Sequence, residues 1–307
     1  MADEITFSGL SSAGGRVSSV LSAMLFEKIH DPTDLRAVMT QVPWGQIGSD
    51  SMSVALDGAP GAFASTAEAA AASNSAYGSS KFDLQIARYV RQYAMSDLFG
   101  VTDGPIDLEA VVDTLANGVG LTMTDLLTAL FNSLSSNVTS TTTLTVDDVY
   151  SAIYTLNLAG AQSSADAPYS LVLHPKQMND FRTSLRGESA GSALQYVSAE
   201  ILAAKGPGYQ GNWQGVDVWQ SDSIAQVDAS AHYSGAMFAK DAFAYTMAPV
   251  RALAGHIPAQ NIIADAGELL IENSRDASSG LSTAVASMFC GVAEAQDALG
   301  VEIKSDV

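Results

Sequence analysis

Cysteine and histidine, which often bind transition metals, are scarce in this chain. Cys290 is the one cysteine, so neither an intrachain disulfide nor a thiolate metal cluster within one chain is possible. The segment around it, MFCGVA, indicates a buried strand and an unreactive thiol. No histidine lies three or four residues from another ligand on a predicted helix, so we expect no metal site; the four are His30, His174, His232 and His256.

Positive charge is scarce as well. The 307 residues include 14 Lys and Arg against 33 Asp and Glu, a formal net charge of −19. This balance disfavours phosphate binding, which needs clustered basic side chains, and docking on anionic membranes. It also keeps free copies of the chain apart through repulsion. Since only 15% of the residues are charged, much of the surface is neutral and suits protein–protein contact.

Long apolar runs are missing too. No segment approaches the ~18 apolar residues that a membrane-spanning helix needs. The first residues, MADEITFSGL, lack the basic region and the apolar core of a signal peptide. We therefore expect no membrane partner and a protein that is made and kept in a cytoplasm-like compartment.

The first 80 residues form two segments that we expect to pack on something outside themselves. Residues 1–35 carry a short apolar helical stripe that stops before Asp31-Pro32, which predicts an arm. Residues 36–80 include an alternation of period two at Met52, Val54 and Leu56, which predicts an extended excursion. Its end, 59–80, is nearly all small residues and cannot bury enough apolar area to form its own core. A tip that is stabilised by a partner and a disordered loop both fit this composition.

The most strongly helical pattern follows at residues 106–135. Asp103-Gly104-Pro105 is a helix start signal, and apolar residues keep helical spacing from Leu108 to Leu134. A helix of this length spans about 45 Å. Gly118 and Gly120 predict a bend or a local loosening in its middle. One long amphipathic helix indicates a spine on which the rest of the chain is mounted.

The remaining residues predict a mixture of helices and strands without regular β-α-β alternation, so the fold class is α+β. Acidic residues Asp147 and Asp148 fit the first turn of a helix that Thr145 caps. The predicted helices are 145–158, 176–185 and 192–205; the predicted strands are 169–173, 216–221, two within 235–248 joined at Lys240-Asp241, 269–272, and further strands within 289–304; and 206–215 is predicted to be a loop.

Two short patterns resemble catalytic or nucleotide-binding motifs. Residues 187–191 match G-x-S-x-G, which would make Ser189 a nucleophile, but this motif needs a strand directly before the serine and the sequence predicts a helix there. Residues 206–211 match G-x-G-x-x-G, but the order is helix, glycines, strand, which is the reverse of a dinucleotide site. His174, at the end of a predicted strand, is read as a structural hydrogen-bond partner. We predict no catalytic residue, no cofactor and no metal.

Four segments of the second half resemble a known family in the right order. They are YSLVLHPKQMNDFRTSL, a strand followed by proline and a helix; GVDVWQSDSIA; SGAMFAKDAFAYTMAP; and MFCGVAEAQDALGVEIKSD. Together with the arm, the excursion and the long helix, they resemble the major capsid protein of tailed phages, which has the Hong Kong 97-type capsid fold. The resemblance covers 169–305 by sequence pattern and the first half by the order of elements alone.

This resemblance implies an assignment of domains. Residues 1–35 would be the N-terminal arm and 36–80 the E-loop, which lies over a neighbouring subunit. Residues 81–144 and 236–307 would form the peripheral domain with the spine helix, and 145–235 the axial domain. The subunits would form hexamers and pentamers that close into an icosahedral shell. That shell would enclose double-stranded DNA without sequence-specific binding.

The sequence departs from the family in two respects. Some relatives join their subunits by an isopeptide bond from a lysine in the E-loop, but 41–80 contains no lysine and Lys81 stands at the base of the loop. We therefore predict no such crosslink. The chain also lacks a long helical extension that could serve as a built-in scaffold, which implies a separate scaffolding protein or a proteolytic removal. A portal and a decoration protein would be further partners, and the location would be the virion after assembly in the host cytoplasm.

Two other functions remain open at this point. An encapsulin-type bacterial compartment has the same fold but encloses enzyme cargo. A serine hydrolase that uses Ser189 belongs to a different class altogether.

Overall fold

The coordinates are those of a computed structural model. They describe residues 35–45, 49–57, 79–96, 108–140, 142–161, 163, 167–187, 201, 205, 208–229, 231–250, 261–276, 278 and 280–306. The predicted arm up to residue 34, the tip of the predicted excursion at 58–78, and most of the predicted helix at 192–205 lie outside the described residues; within that last range only Ile201 and Lys205 are described, and both are helical.

One sheet has seven strands. Its order is β5-β15-β10-β6-β8-β7, with the short strand β9 paired to β10. Pairing is antiparallel except for β5 with β15 and β6 with β8. The strands are β5 (Asn137–Thr139), β6 (Tyr169–Leu173), β7 (Tyr209–Trp213), β8 (Val216–Gln220), β9 (Gln226–Val227), β10 (His232–Phe238) and β15 (Gly300–Asp306).

The other large sheet has six strands and is built around the long strand β14 (Leu281–Glu294). Along one edge β14 pairs antiparallel with β4 (Ala87–Ser96). Along the other edge it pairs first with β13 (Leu269–Asp276) and then with β11 (Phe243–Ala248). Strand β12 (Ile262–Asp265) extends the sheet beyond β13, and β1 (Thr40–Gln41) pairs parallel with β11.

Helix α1 (Leu108–Ala129) connects the two sheets. Leu115, Val119 and Met123 pack in a core with residues of the six-stranded sheet, among them Met288 and Cys290. The last turns of the helix and the residues after it, Leu127, Phe131 and Leu134, pack in a second core with residues of the seven-stranded sheet, among them Phe238. The predicted spine is therefore present, because one amphipathic helix shares its apolar face between both sheets.

Two helices cover the other face of the seven-stranded sheet. They are α2 (Val146–Leu158) and α3 (Pro175–Gly187), and both match the predicted positions. Thr145 caps α2 as predicted: its hydroxyl accepts from the Asp148 N–H, and the Asp148 carboxylate accepts from the Thr145 N–H at 2.9 Å. Alternate residues of the strands face these helices; the third core contains Leu171, Leu173, Val218, Met237 and Ile303 with Val149, Leu156 and Phe181.

The mixed α+β fold class is confirmed, and two sequence predictions need correction. The predicted loop 206–215 contains strand β7, because Tyr209–Trp213 pair with β8 across a turn in which Gln214 and Gly215 both have positive φ. The spine helix ends at Ala129 rather than 135, since Phe131–Ser133 form a 3-10 turn that still buries Phe131 and Leu134. Helix α1 is unbroken at Gly118 and Gly120.

The two strands predicted within 235–248 are present, but they belong to different sheets. Strand β10 pairs with β15 and β6 in the seven-stranded sheet, and β11 pairs with β14 in the six-stranded sheet. The link between them, 239–242, is one of the chain passages from one sheet to the other, and 295–299 is another. These passages are bonded together, since Ala295 and Gln296 both donate to the Ala242 carbonyl.

Candidate assembly surfaces

A two-stranded hairpin stands apart from both large sheets. Strands β2 (Ser51–Asp57) and β3 (Ser79–Gln85) pair only with each other among the described residues. Their paired positions alternate in character: Met52 opposite Leu84 and Val54 opposite Phe82 make one face apolar. Ser53 opposite Asp83 and Ala55 opposite Lys81 make the other face small or polar. The strand predicted around Met52, Val54 and Leu56 is therefore confirmed.

The hairpin is attached to the body at its base. Met52 and Leu84 are buried against Ala244 of β11, whereas Val54 and Phe82 are only partly buried and Leu56, nearer the tip, is also partly exposed. A two-stranded hairpin is at best marginally stable alone in water. The apolar face beyond the base thus lacks a full cover within the described part of the chain.

A close backbone contact fixes the base of the hairpin. A Cβ atom at Gly291 of β14 would lie 2.0 Å from the Gln85 carbonyl oxygen, a distance that no side chain tolerates. The Ile86 N–H also donates to the Asp50 carbonyl at 2.9 Å, which closes the two strands where they leave the body. Gly291 therefore lets the hairpin cross β14 at close range.

Helix α2 carries a second candidate surface. Tyr150, Tyr154 and Leu158 are 44%, 65% and 70% exposed. Their spacing of four residues places them along one side of the helix, away from the buried Val149 and Leu156. We call these three residues the α2 stripe. The stripe was not predicted from the sequence, although its spacing of four residues is visible there.

Cys290 and His174 have the surroundings that were predicted from the sequence. Cys290 is fully buried, and burial raises the pKa of its thiol to about 12, so it stays protonated. His174 follows β6, and its Nδ1 accepts from the Lys176 N–H at 3.2 Å. Its ring stacks on Tyr233 with 3.6 Å between ring centroids. Burial lowers the pKa of His174, partly opposed by the charge of Asp222, so the structural role predicted for this histidine is confirmed.

The secondary-structure elements next to the two motif-like patterns are not those that a serine hydrolase or a dinucleotide site requires. Helix α3 runs to Gly187, so a helix rather than a buried strand leads into the G-x-S-x-G segment; Ser189 itself lies outside the described residues. The G-x-G-x-x-G pattern at 206–211 runs into strand β7, which begins at Tyr209 within the pattern, rather than into a helix. His30 and His256 also lie outside the described residues. In the part of the chain that the structure describes, no group of three or more His, Cys, Asp or Glu side chains could hold a metal ion.

A polar cleft of about 570 Å³ lies beside the β7–β8 hairpin. In it the buried Asp217 carboxylate accepts from the Lys205 ammonium, from the Tyr209 hydroxyl at 2.9 Å and from the Asn212 amide at 3.0 Å. Burial, and then the hydrogen bond to Asp217, raise the pKa of Tyr209, so that hydroxyl remains a donor. These partners satisfy one another, and the cluster ties β7 to β8 and to Lys205.

Two further clusters contain acidic groups whose partners could not be found from the sequence. Glu302 of β15 is buried and accepts from the Ser234 hydroxyl of β10 at 2.5 Å, with the Lys304 ammonium at 3.5 Å. Where the chain passes from β14 to β15, burial raises the pKa of Glu294 and hydrogen bonds from Ser135 lower that of Asp297. Both clusters bridge elements that are distant in sequence, which indicates a structural role. Among the described residues, no helix is long and apolar enough to cross a membrane.

Comparison of the sequence with protein-family profiles and with curated proteins finds no match. Comparison of the fold does find counterparts among solved structures. The capsid structure of the cyanophage P-SCSP1u has a TM-score of 0.62 at 11% identity, over 87% of this chain and 86% of that one. The capsid of Ralstonia phage GP4 has a TM-score of 0.62 at 12% identity, over 92% and 90%.

A third counterpart is not a phage protein. The holo-SrpI encapsulin complex from Synechococcus elongatus PCC 7942 has a TM-score of 0.59 at 12% identity, over 90% of this chain and 88% of that one. Because the identities are low, these likenesses concern the fold. This chain has the mixed α+β fold of phage capsid and encapsulin shell chains.

Proposed function

We propose that this chain is the major capsid protein of a tailed phage, a structural subunit and not an enzyme. Copies assemble as hexamers and pentamers into an icosahedral shell that encloses double-stranded DNA. The observation that carries the proposal is the β2–β3 hairpin, whose apolar face is only partly covered by the described residues, on a fold shared with capsid subunits.

An outside surface would stabilise the hairpin further. Burial of apolar area stabilises by about 25 cal/mol per Å², and Val54, Leu56 and Phe82, which are only partly buried, would gain the remainder of this against a neighbour. In the proposal the hairpin is the E-loop, and a neighbouring subunit covers its apolar face. The segment 59–80, with its small side chains, then lies between subunits and does not need a core of its own.

The net negative charge of the chain supports a shell that encloses DNA rather than a protein that binds it. With 33 acidic and 14 basic residues, the subunit attracts phosphate groups weakly, and DNA inside such a shell is enclosed rather than bound in a sequence-specific manner. The shell forms in the host cytoplasm and ends in the virion. A scaffolding protein, a portal and a decoration protein complete the assembly.

The domain division also belongs to this proposal. The arm is 1–35, the E-loop 36–80, the peripheral domain 81–144 with 236–307, and the axial domain 145–235. Residues 236–238 and 300–306 are an exception to this division, because β10 pairs with β6 of the axial segment and β15 pairs with β10; we assign both strands to the axial domain. Helix α1 packs on both sheets and joins the two domains.

An encapsulin-type compartment is the second candidate, and the likeness to the SrpI encapsulin favours it. The two functions differ in what the particle contains. Particles purified from infected cells, in which all partners are present, and treated with nuclease should retain double-stranded DNA when the chain is a phage capsid subunit. Particles that hold a protein cargo and no protected DNA would favour the encapsulin function.

A matched pair of substitutions tests the role of the hairpin. Leu56→Asp places a charge on the apolar face, whereas Ala55→Asp places it one residue away on the polar face, opposite Lys81. We expect the first variant to fold as a monomer but to lose most particle formation, and the second to assemble normally. Equal assembly of the two variants would contradict a hairpin that binds a neighbour through its apolar face.

A further inference from the structure

The α2 stripe is presented by a rigid support. The Tyr150 ring packs against Trp213 with 5.1 Å between ring centroids, and its hydroxyl donates to Gln214 Oε1 at 3.0 Å. The Thr145–Asp148 capping box fixes the start of the helix. Since the helix and the Tyr150 side chain are already held in place, a partner that binds there loses less conformational entropy.

The size of the stripe limits what can bind it. With ~150–250 Å² for a whole aromatic side chain, the exposed parts of the two tyrosines and Leu158 add up to on the order of 300 Å². A stable complex of two separate proteins buries about 800 Å² on each partner. The stripe alone therefore cannot hold a partner, and it suits a surface that other contacts bring into place at the same time.

The charge distribution favours a second copy of this chain as the partner that contacts the α2 stripe. Helix α2 has no Lys or Arg, and its only charged residues, Asp147 and Asp148, lie in the first turn. Two copies with a net charge of −19 each repel one another over most of their surface. Contact between them is least unfavourable where neither copy carries charge, and tyrosines are enriched at the centres of such contacts.

We propose that the α2 stripe is a contact surface between copies of this chain that is covered only on assembly. This inference rests on the proposed shell function and adds to it a specific surface. The free chain exposes Tyr154 and Leu158 to water, and the assembled chain buries them against a neighbouring copy. The contact is too small to form dimers in solution.

A photo-crosslinking experiment tests the identity of the neighbour. The full chain carries p-benzoylphenylalanine in place of Tyr154, and particles and unassembled subunits are irradiated separately. We expect crosslinked peptides that join residue 154 to another copy in particles, and no dimers in the unassembled fraction. Crosslinks only to a different protein, or to lipid or nucleic acid, or no crosslinks in well-formed particles, would each overturn the proposal.

A pair of variants tests whether the contact matters for assembly. Tyr154→Ser combined with Leu158→Ser is compared with Leu121→Ser, which removes a side chain that is 56% exposed on α1. We expect an unchanged melting temperature in both, and a concentration threshold for assembly that rises about tenfold only in the double variant. An equal change in both, or none in the double variant, would contradict the assignment. If the unsubstituted chain forms no particles, the proposed function fails and the contact fails with it.

Discussion

Single side chains determine how this fold responds to pH. Burial lowers the pKa of His174, and the charge of Asp222 partly opposes this; the Nδ1 of the ring accepts from the Lys176 N–H. Its folded-state pKa lies below the ordinary 6.5. The unfolded chain therefore binds a proton more readily, so the stabilising contribution is complete above pH ~6.5 and is lost as the pH falls through the folded-state pKa.

We predict that His174→Asn weakens the dependence of the protein's stability on pH. Asparagine keeps an acceptor in front of helix α3 and is favoured before a helix start, but it does not titrate in this range. The melting temperature of the unsubstituted chain should fall more between pH ~7.5 and pH ~5.5 than that of the variant. Scanning calorimetry of both proteins across this range measures the difference. Parallel curves would mean that His174 does not contribute to the pH dependence.

The close contact at Gly291 leads to a second prediction at this scale. Gly291→Ala should destabilise the fold by about 1–3 kcal/mol, because the added Cβ meets the Gln85 carbonyl and forces the hairpin base away from β14. Gly187→Ala is the control, since a Cβ at the end of α3 meets nothing within 4 Å. Denaturant unfolding of both variants gives the free energies. Comparable stability of the two would show that the hairpin base shifts at no cost.

At the scale of elements, helix α2 links the local sequence to the proposed assembly. Its start is fixed by Thr145 and Asp148, its inner face packs on the seven-stranded sheet, and its outer face carries the stripe. Thr145→Ala should lower the free energy of unfolding by about 1 kcal/mol, since an N–H of the first turn loses its acceptor. Ser151→Ala, in the middle of the exposed face, should change it by less than about 0.5 kcal/mol. Chemical denaturation followed by circular dichroism measures both; equal losses would contradict a specific role of the cap.

The helices and strands that could be predicted are those that residues close in sequence determine. The cap at Thr145, the strand that ends before His174-Pro175 and the long helix all follow from residues close in sequence. Strand β7 was missed because YQGNW between glycines has the composition of a loop, and its pairing with β8 is what makes it a strand. The separation of β10 and β11 into two sheets was equally invisible, since β10 finds its partner β15 about 65 residues away.

The candidate surfaces also combine features that local sequence determines with features that depend on the folded arrangement. Strand β2 could be predicted because its alternation of apolar and small residues is a local pattern. The cross-strand partners on β3, the contact at Gly291 and the attachment to Ala244 depend on the folded arrangement. Exposure of Tyr154 and Leu158 likewise requires knowing which face of α2 meets the sheet.

At the scale of the whole molecule, the subunit contacts are predicted to be entirely noncovalent. Residues 41–80 contain no lysine, and Lys81 is an exposed residue opposite Ala55 in the hairpin. Purified shells boiled in denaturant should therefore give a single monomer band near 31.9 kDa on a denaturing gel. A ladder of bands at multiples of this mass would contradict the prediction and indicate a covalent link between subunits.

Electron microscopy of the purified full chain, expressed alone and with its scaffolding protein, tests the central claim most directly. The account predicts closed icosahedral particles, with hexameric and pentameric groups of subunits and the β2–β3 hairpin of each subunit lying on its neighbour. A chain that stays monomeric at every concentration and in both conditions would contradict it.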